Sequence, residues 1–228
     1  VLMAGSSIAG DVVSNNSDWA KDYPEQYADW KKTSKSDQIK DMLKEKPQLV
    51  ILWAGYGFAK DYNAPRGHFY ALQSNQNTLR TGAPVDSNTG PMPTACWTCK
   101  SPDVVRKIAE DGENEYFTGK WAKYGDEIVN SIGCADCHES GTAELSLTRD
   151  YAKRAFKEIG IDADKVDAHE MGNMTCAQCH SEYYFKATEW TDDKGNKKTA
   201  KVVTFPWLNG TSAEQMEAYY DARDFKDW

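Results

Sequence analysis

The stretch "TACWTCKSPD", Thr94 to Asp103, carries a Cys-x-x-Cys pair followed by a lysine, Lys100. Two other stretches, "CADCH" from Cys134 to His138 and "CAQCH" from Cys176 to His180, repeat the pattern with histidine in fifth place. The three pairs use all six cysteines of the 228-residue chain. A disulfide inside Cys-x-x-Cys closes so small a loop that it stabilises little and is usually redox-active. Zinc ribbons use two such pairs about 15–20 residues apart; here the intervals are about twice that, and a third pair is left over. The histidine directly after the second cysteine favours another chemistry. In Cys-x-x-Cys-His the sulfurs bond to haem vinyl groups and the adjacent imidazole reaches the iron, which is the attachment signature of c-type haem. Cys96 with Cys99, Cys134 with Cys137 and Cys176 with Cys179 are therefore candidate anchors for three haems.

The rest of the chain sets bounds on this reading. A length of 228 residues permits a sizeable core without disulfide staples. Charged residues make up 27%, the net charge is −8, and no basic run is present, which argues against a nucleic-acid partner. No apolar run approaches the ~20 residues of a membrane span, so the chain is not expected to cross a membrane itself. The opening "VLMAGSSIAG" reads equally as the tail of an export signal or as an ordinary frayed terminus.

Helical patterns recur between loops. Ser36 is placed to cap "DQIKDMLKEK", with Ile39, Met42 and Leu43 on one face before Pro47. Pro102 suits a first helical turn leading to Val104, Val105, Ile108 and Gly112. Thr148 is placed to cap "RDYAKRAFKEIG", whose Tyr151, Ala152, Ala155, Phe156 and Ile159 share a side. "LVILW", from Leu49, is too short to separate strand from buried helix. "EYYFKATEW" and "KVVTFPW" flank "TDDKGN", whose Gly195 and Asn196 suit a hairpin turn, and "TSAEQMEAYYDA" reads as a capped helix. The expected fold is mainly α: one domain over residues 1–228, helices and long loops packed around haems, with one β-hairpin. Porphyrins would supply much of its buried apolar surface.

Three irons have six axial positions, and the motifs fill three with Lys100, His138 and His180. The chain holds four histidines in all, so only His68 and His169 remain for the opposite faces. At least one iron is then open, uses another ligand such as methionine, or takes one from elsewhere. An amine ligates iron only as the free base, a form favoured by burial and by the metal's positive charge. Axial ligation controls haem electronics. A haem that binds and transforms a ligand gains more from an altered proximal ligand than one that only relays electrons.

These residues resemble the pentahaem, ammonia-forming cytochrome c nitrite reductases, whose catalytic haem is bound by Cys-x-x-Cys-Lys. The resemblance runs from "YPEQYADWK" to "FKDW" and includes "LVILWAGYGFAKDYNAPRGHFYAL", "TLRTGAP", "CWTCKSPDV", "GCADCH", "CAQCHSEYYF" and "EQMEAYYD". It implies Lys100 as proximal ligand of the catalytic iron, with His138 and His180 as proximal ligands of the second and third haems. His68 corresponds to the third haem's distal ligand. Arg80 corresponds to the active-site arginine, a fixed cation for an anion such as nitrite, and Tyr183 to the active-site tyrosine. Glu182 and Tyr183 correspond to part of a calcium site. Nitrite as substrate, a quinol-linked cytochrome c as electron donor, a homodimer and a periplasmic location are implied in the same way.

The family continues beyond "FKDW" into a lysine-x-glutamine-histidine segment and two further haem motifs. This leads to the expectation that the 228 residues are an N-terminal portion carrying three of five haems. The chief rival is a non-catalytic multihaem electron carrier in which Lys100 only tunes a potential. Ligand binding separates the two, because a carrier's irons are closed. A haem-free thiol protein is the third reading, which a visible absorption spectrum would test.

Overall fold

The computed structural model describes residues 12–52, 66–78, 89, 92–210 and 212–223. Before the first cysteine pair lie α1 (Asn16–Trp19), α2 (Pro24–Lys32), α3 (Met42–Glu45), α4 (Leu49–Leu52) and α5 (Ala71–Gln76). After it come α6 (Asp103–Asp111), α7 (Glu113–Thr118) and α8 (Trp121–Tyr124). The second cysteine pair lies on α9 (Cys134–Cys137), followed by α10 (Asp150–Glu158) and by α11 (Ala168–Ala177), which contains the first cysteine of the third pair. The strands β1 (Tyr184–Thr191) and β2 (Lys197–Thr204) and helix α12 (Ala213–Asp221) complete the order. The fold is mainly helical with one hairpin, as the sequence leads one to expect.

Local chemistry sets most boundaries. The Asp103 backbone N–H donates to the Ser101 hydroxyl at 3.1 Å, and α6 ends at Gly112, whose φ of 82° suits a residue without Cβ. Between them Val104 is fully buried. Helix α10 buries Tyr151, Ala152, Ala155 and Phe156, whereas Ile159 just past its end is 38% exposed. In the hairpin Tyr184 faces Thr204 and Thr191 faces Lys197. Gly195, at φ 80°, makes the turn, and Asp192 accepts the backbone N–H of Lys194 and Asn196. Ser212 and Gln215 form a reciprocal capping box at the start of α12.

Two sequence expectations are corrected, and one left open is settled. No helix starts at Ser36: the Asp41 carboxylate accepts the N–H groups of Leu43 and Lys44 at 3.0 and 3.1 Å and starts α3 there, leaving Ile39 66% exposed. Thr148 does not cap α10, because its hydroxyl donates to the Asp136 carbonyl at 2.9 Å and the N-cap position falls to Arg149. Residues 49–52 of "LVILW", which the sequence left open between strand and buried helix, are helical, and Trp53 lies outside the described residues.

The core gathers around the first motif. Trp97, between Cys96 and Cys99, packs on Trp121 with ring centroids 3.7 Å apart. Tyr116 stacks on Tyr124 at 5.5 Å and Phe205 on Trp207 at 4.2 Å, with Phe117, Tyr151 and Phe156 filling the space between these layers. Such buried aromatics dominate the apolar stabilisation of the domain. The Tyr116 hydroxyl donates to the Thr94 carbonyl at 2.9 Å, and the Trp121 N–H donates to the Met92 carbonyl at 2.8 Å. The segment entering the motif is thereby pinned to α7 and α8.

Asp103 fastens the exit. Its carboxylate accepts the backbone N–H of Val129 at 2.9 Å and of Asn130 at 2.8 Å, and it is 2% exposed. Asp103→Ala strands those donors, and equilibrium urea unfolding should show a loss of about 2–3 kcal/mol. An unchanged midpoint would mean that the loop before the second motif is held by other contacts.

Candidate haem and active site

The three motifs differ in backbone as well as in their fifth residue. The His138 N–H donates to the Cys134 carbonyl and the His180 N–H to the Cys176 carbonyl, both at 2.9 Å, in α-helical spacing. Lys100 is wound tighter: its N–H donates to the Trp97 carbonyl at 2.8 Å, following a 3₁₀ turn over Thr94–Trp97. The six cysteines are free thiols. Burial pushes the Cys96 and Cys137 thiols up to about 11. Cys99 is held below its ordinary value, chiefly by a hydrogen bond with Cys179. Cys99 and Cys179, the second cysteines of the first and third motifs, line the same cavity.

Each candidate ligand has a local support. The His138 Nδ1–H donates to the Ala143 carbonyl at 2.7 Å, a tautomer that leaves Nε2 free for a metal. Ala143 has φ 58°, the single positive value outside glycine among the described residues. The 139–144 loop turns back through this strained residue, with the Ala143 N–H on the Glu139 carbonyl at 2.8 Å and the Glu139 N–H on the Glu144 carbonyl at 2.9 Å. His68 follows Gly67, whose φ is 83°, and its carbonyl accepts the Ser131 hydroxyl at 2.8 Å. Arg66 holds this turn through Ser74, Gln73 and the Asp37 carbonyl, with its guanidinium 4.3 Å from the Tyr70 ring centroid.

The His68 and His180 rings face one another with centroids 6.0 Å apart. Metal–imidazole bonds of about 2.0–2.1 Å put two opposed ligating nitrogens about 4 Å apart and their ring centroids a little over ~6 Å apart, which this spacing allows. Loss of hydration and the neighbouring His180 ring lower the pKa of His68, favouring the neutral, ligating form. Free thiols in pairs, an Nε2 left open on His138 and two imidazoles at this spacing fit c-type haem. His169 is exposed in the first turn of α11.

Lys100 is half-buried and lines a cavity with Cys96, Cys99, Cys179 and Tyr183. Tyr183 is 46% exposed, with its ring edge-on to Phe185. Arg80 lies outside the described residues. The Glu182 carboxylate accepts the hydroxyls of Tyr220 at 2.8 Å and Tyr184 at 3.1 Å. Among the described residues no cluster of three His, Cys, Asp or Glu side chains could hold a metal. Glu182 and Tyr183 offer too few of the six to eight oxygens that calcium takes, so the described residues do not by themselves make a calcium site.

Supports absent from the sequence reading join the motifs to one another. The second variable residue of each motif, Thr98, Asp136 and Gln178, is polar and at most 2% exposed. The Gln178 amide donates to the Asp136 carbonyl at 2.8 Å, and the Asn75 amide donates to the Cys96 carbonyl at 3.2 Å. Asn16 accepts the Cys134 N–H at 2.9 Å and lies where a Cβ on Gly133 would be, which accounts for the glycine before the second motif. The signal available in sequence was the polar residue recurring in a position otherwise free to vary.

A sequence profile of the cytochrome c552 family matches residues 15–228. The chain belongs to that family. Among curated cytochromes c-552, the one from Desulfotalea psychrophila is 63% identical over 220 residues, covering 96% of this chain and 43% of the relative. The one from Maridesulfovibrio salexigens is 61% identical over 210 residues, covering 92% of this chain and 42% of the relative. The chain thus spans less than half the length of these relatives. Its structure is similar to that of the catalytic subunit of cytochrome c nitrite reductase from Desulfovibrio desulfuricans, a protein described as having two calcium sites. That match has a TM-score of 0.73 and 29% identity, over 93% of this chain and 47% of the other. No helix among the described residues is long and apolar enough to cross a membrane.

Proposed function

We propose that this cytochrome c552 chain forms the lysine-ligated part of a periplasmic nitrite reductase that converts nitrite to ammonium. The observation that carries the proposal is Lys100, which stands where the other two motifs have histidine and borders the same cavity as Tyr183. When bound, the haems supply electrons and an open iron position at which nitrite takes up six electrons and eight protons, giving ammonium and two water molecules. Cys96 and Cys99 anchor the first porphyrin, and Lys100 presents its amine to that iron. Cys134, Cys137 and His138 hold the second haem, and Cys176, Cys179, His180 and His68 hold the third. Arg80 supplies the fixed cation that a small anion needs. Tyr183 offers a phenolic proton at the cavity edge.

Cys99 and Cys179, one from each motif, line the same cavity, which supports a short route for electrons from the third haem to the first. A quinol-linked cytochrome c is the proposed donor and a homodimer the proposed assembly. Calcium, with Glu182 as one carboxylate ligand, belongs to the same reading and requires oxygens beyond the described residues. Periplasmic residence follows from haem attachment, which needs reduced thiols and exported haem.

Denatured intact mass should show one porphyrin for each of the three cysteine pairs in this segment, together with nitrite-dependent ammonium formation by the full-length protein. An empty Cys96–Cys99 pair would remove the proposed catalytic haem. Full loading with no turnover would favour the electron-carrier reading.

A further inference from the structure

Arg149 is among the largest fully buried side chains, and its side chain shows no exposed surface. Its contacts reach all three haem-attachment motifs. Nε donates to the Thr98 carbonyl at 3.0 Å, and one terminal nitrogen donates to the Ser101 carbonyl at 3.0 Å and to the Asp136 carboxylate. The other terminal nitrogen donates to the Thr148 hydroxyl at 2.7 Å. The backbone N–H of Arg149 donates to the Gln178 side-chain oxygen at 3.2 Å. Thr98 and Ser101 immediately flank Cys99 and Lys100, Asp136 lies between Cys134 and Cys137, and Gln178 lies between Cys176 and Cys179.

We propose that Arg149 is a positioning residue for the lysine-ligated iron, clamping the Lys100 peptide from both sides and fixing it against the second and third haem motifs. This inference rests on the reading of Lys100 given above. A buried ion pair gives little net stability over a well-packed apolar pair of similar volume. What the guanidinium adds is geometry, because its planar fork satisfies several acceptors in fixed directions. Lysine is a long side chain with a single ligating atom. If the peptide that carries it shifts by about 1 Å, the amine approaches the iron in more than one arrangement. Histidine motifs have a second ring nitrogen to orient the ligand, as His138 has through Ala143. Lys100 has no second ring nitrogen of this kind, so the backbone that carries it takes a larger part in placing it.

The test compares the parent with two variants of the full-length, haem-loaded protein. Arg149→Lys keeps the charge and loses the fork. Asp136→Leu with Arg149→Met removes both charges and keeps the volume filled. Intact mass reports haem content, and electron paramagnetic resonance reports the high-spin iron separately from the low-spin irons. Both variants should retain the parent's haem count and low-spin signals, while the high-spin signal broadens or divides into more than one species. A single high-spin signal identical to the parent's in the folded variants would overturn the inference. Loss of haem from the charge-free variant would also overturn it, making Arg149 a folding residue only. If the parent itself shows no high-spin haem, the reading of Lys100 has failed instead, and the parent spectrum alone reveals it.

Discussion

Replacing Lys100 by histidine in the full-length protein should lower nitrite turnover on the order of 10–100-fold, the scale found when the surroundings of a metal ligand are altered. Haem attachment should survive, because Cys96 and Cys99 supply both thioethers whatever the fifth residue is. The loss should appear in kcat as well as in kcat/KM, since the proximal ligand acts on the iron during reduction and not only on nitrite capture. Steady-state ammonium formation paired with intact mass separates this outcome from failed maturation. Lys100→Met is the harsher substitution and should cost more. A histidine variant with full haem and parental turnover would mean that the lysine is incidental to the reaction.

The second large effect concerns stability. Asp136→Ala leaves the Arg149 guanidinium buried without its carboxylate, and an uncompensated buried charge typically costs about 3–5 kcal/mol. The opposite charge of Asp136 helps to hold the Arg149 pKa above its ordinary value against the burial that lowers it. Arginine is effectively always protonated in proteins, so the variant keeps the stranded charge. The Gly133 N–H, which donates to Asp136 at 2.9 Å, loses its partner as well. A loss of that size is a large fraction of the roughly 5–15 kcal/mol that holds a domain folded. Denaturant unfolding should show it, and the double substitution Asp136→Leu with Arg149→Met should recover most of it. Equal destabilisation by the single and double variants would place the cost in lost packing rather than in stranded charge.

The covalent chemistry was legible in sequence because it is local. Cys-x-x-Cys-His declares its ligands within five residues, and the exception at Lys100 marks itself by contrast with His138 and His180. The hairpin was legible for the same reason, since Gly195 and Asn196 sit between two runs of strand-forming residues. Helix starts were less secure. Asp41 rather than Ser36 caps a helix in this stretch, by accepting the N–H groups of Leu43 and Lys44, and the Thr148 hydroxyl was drawn to the second motif instead of to its own helix. In both cases more than one polar side chain was placed to cap or to bond elsewhere, and sequence spacing does not rank those alternatives.

The supports around the site were not read because they act over long separations. Asn16 reaches Cys134 across 118 positions, and Arg149 reaches Thr98 across 51. Nothing in the local pattern of "LTRDY" distinguishes Arg149 from a surface arginine at a helix start. Its role becomes visible only when the buried polar residues within the three motifs are found to converge on it. Arg80, named from resemblance alone, lies outside the described residues, so its part in nitrite binding rests on that resemblance.

The central claim is that the Lys100 haem keeps one face open for nitrite while the other haems carry electrons. Electron paramagnetic resonance of the oxidised, full-length protein, recorded with and without nitrite, tests it most directly. One high-spin haem is expected at rest, with its signal changing when nitrite is added and the low-spin signals unmoved. Low-spin signals alone, none of them altered by nitrite, would contradict it and assign the protein to electron transfer.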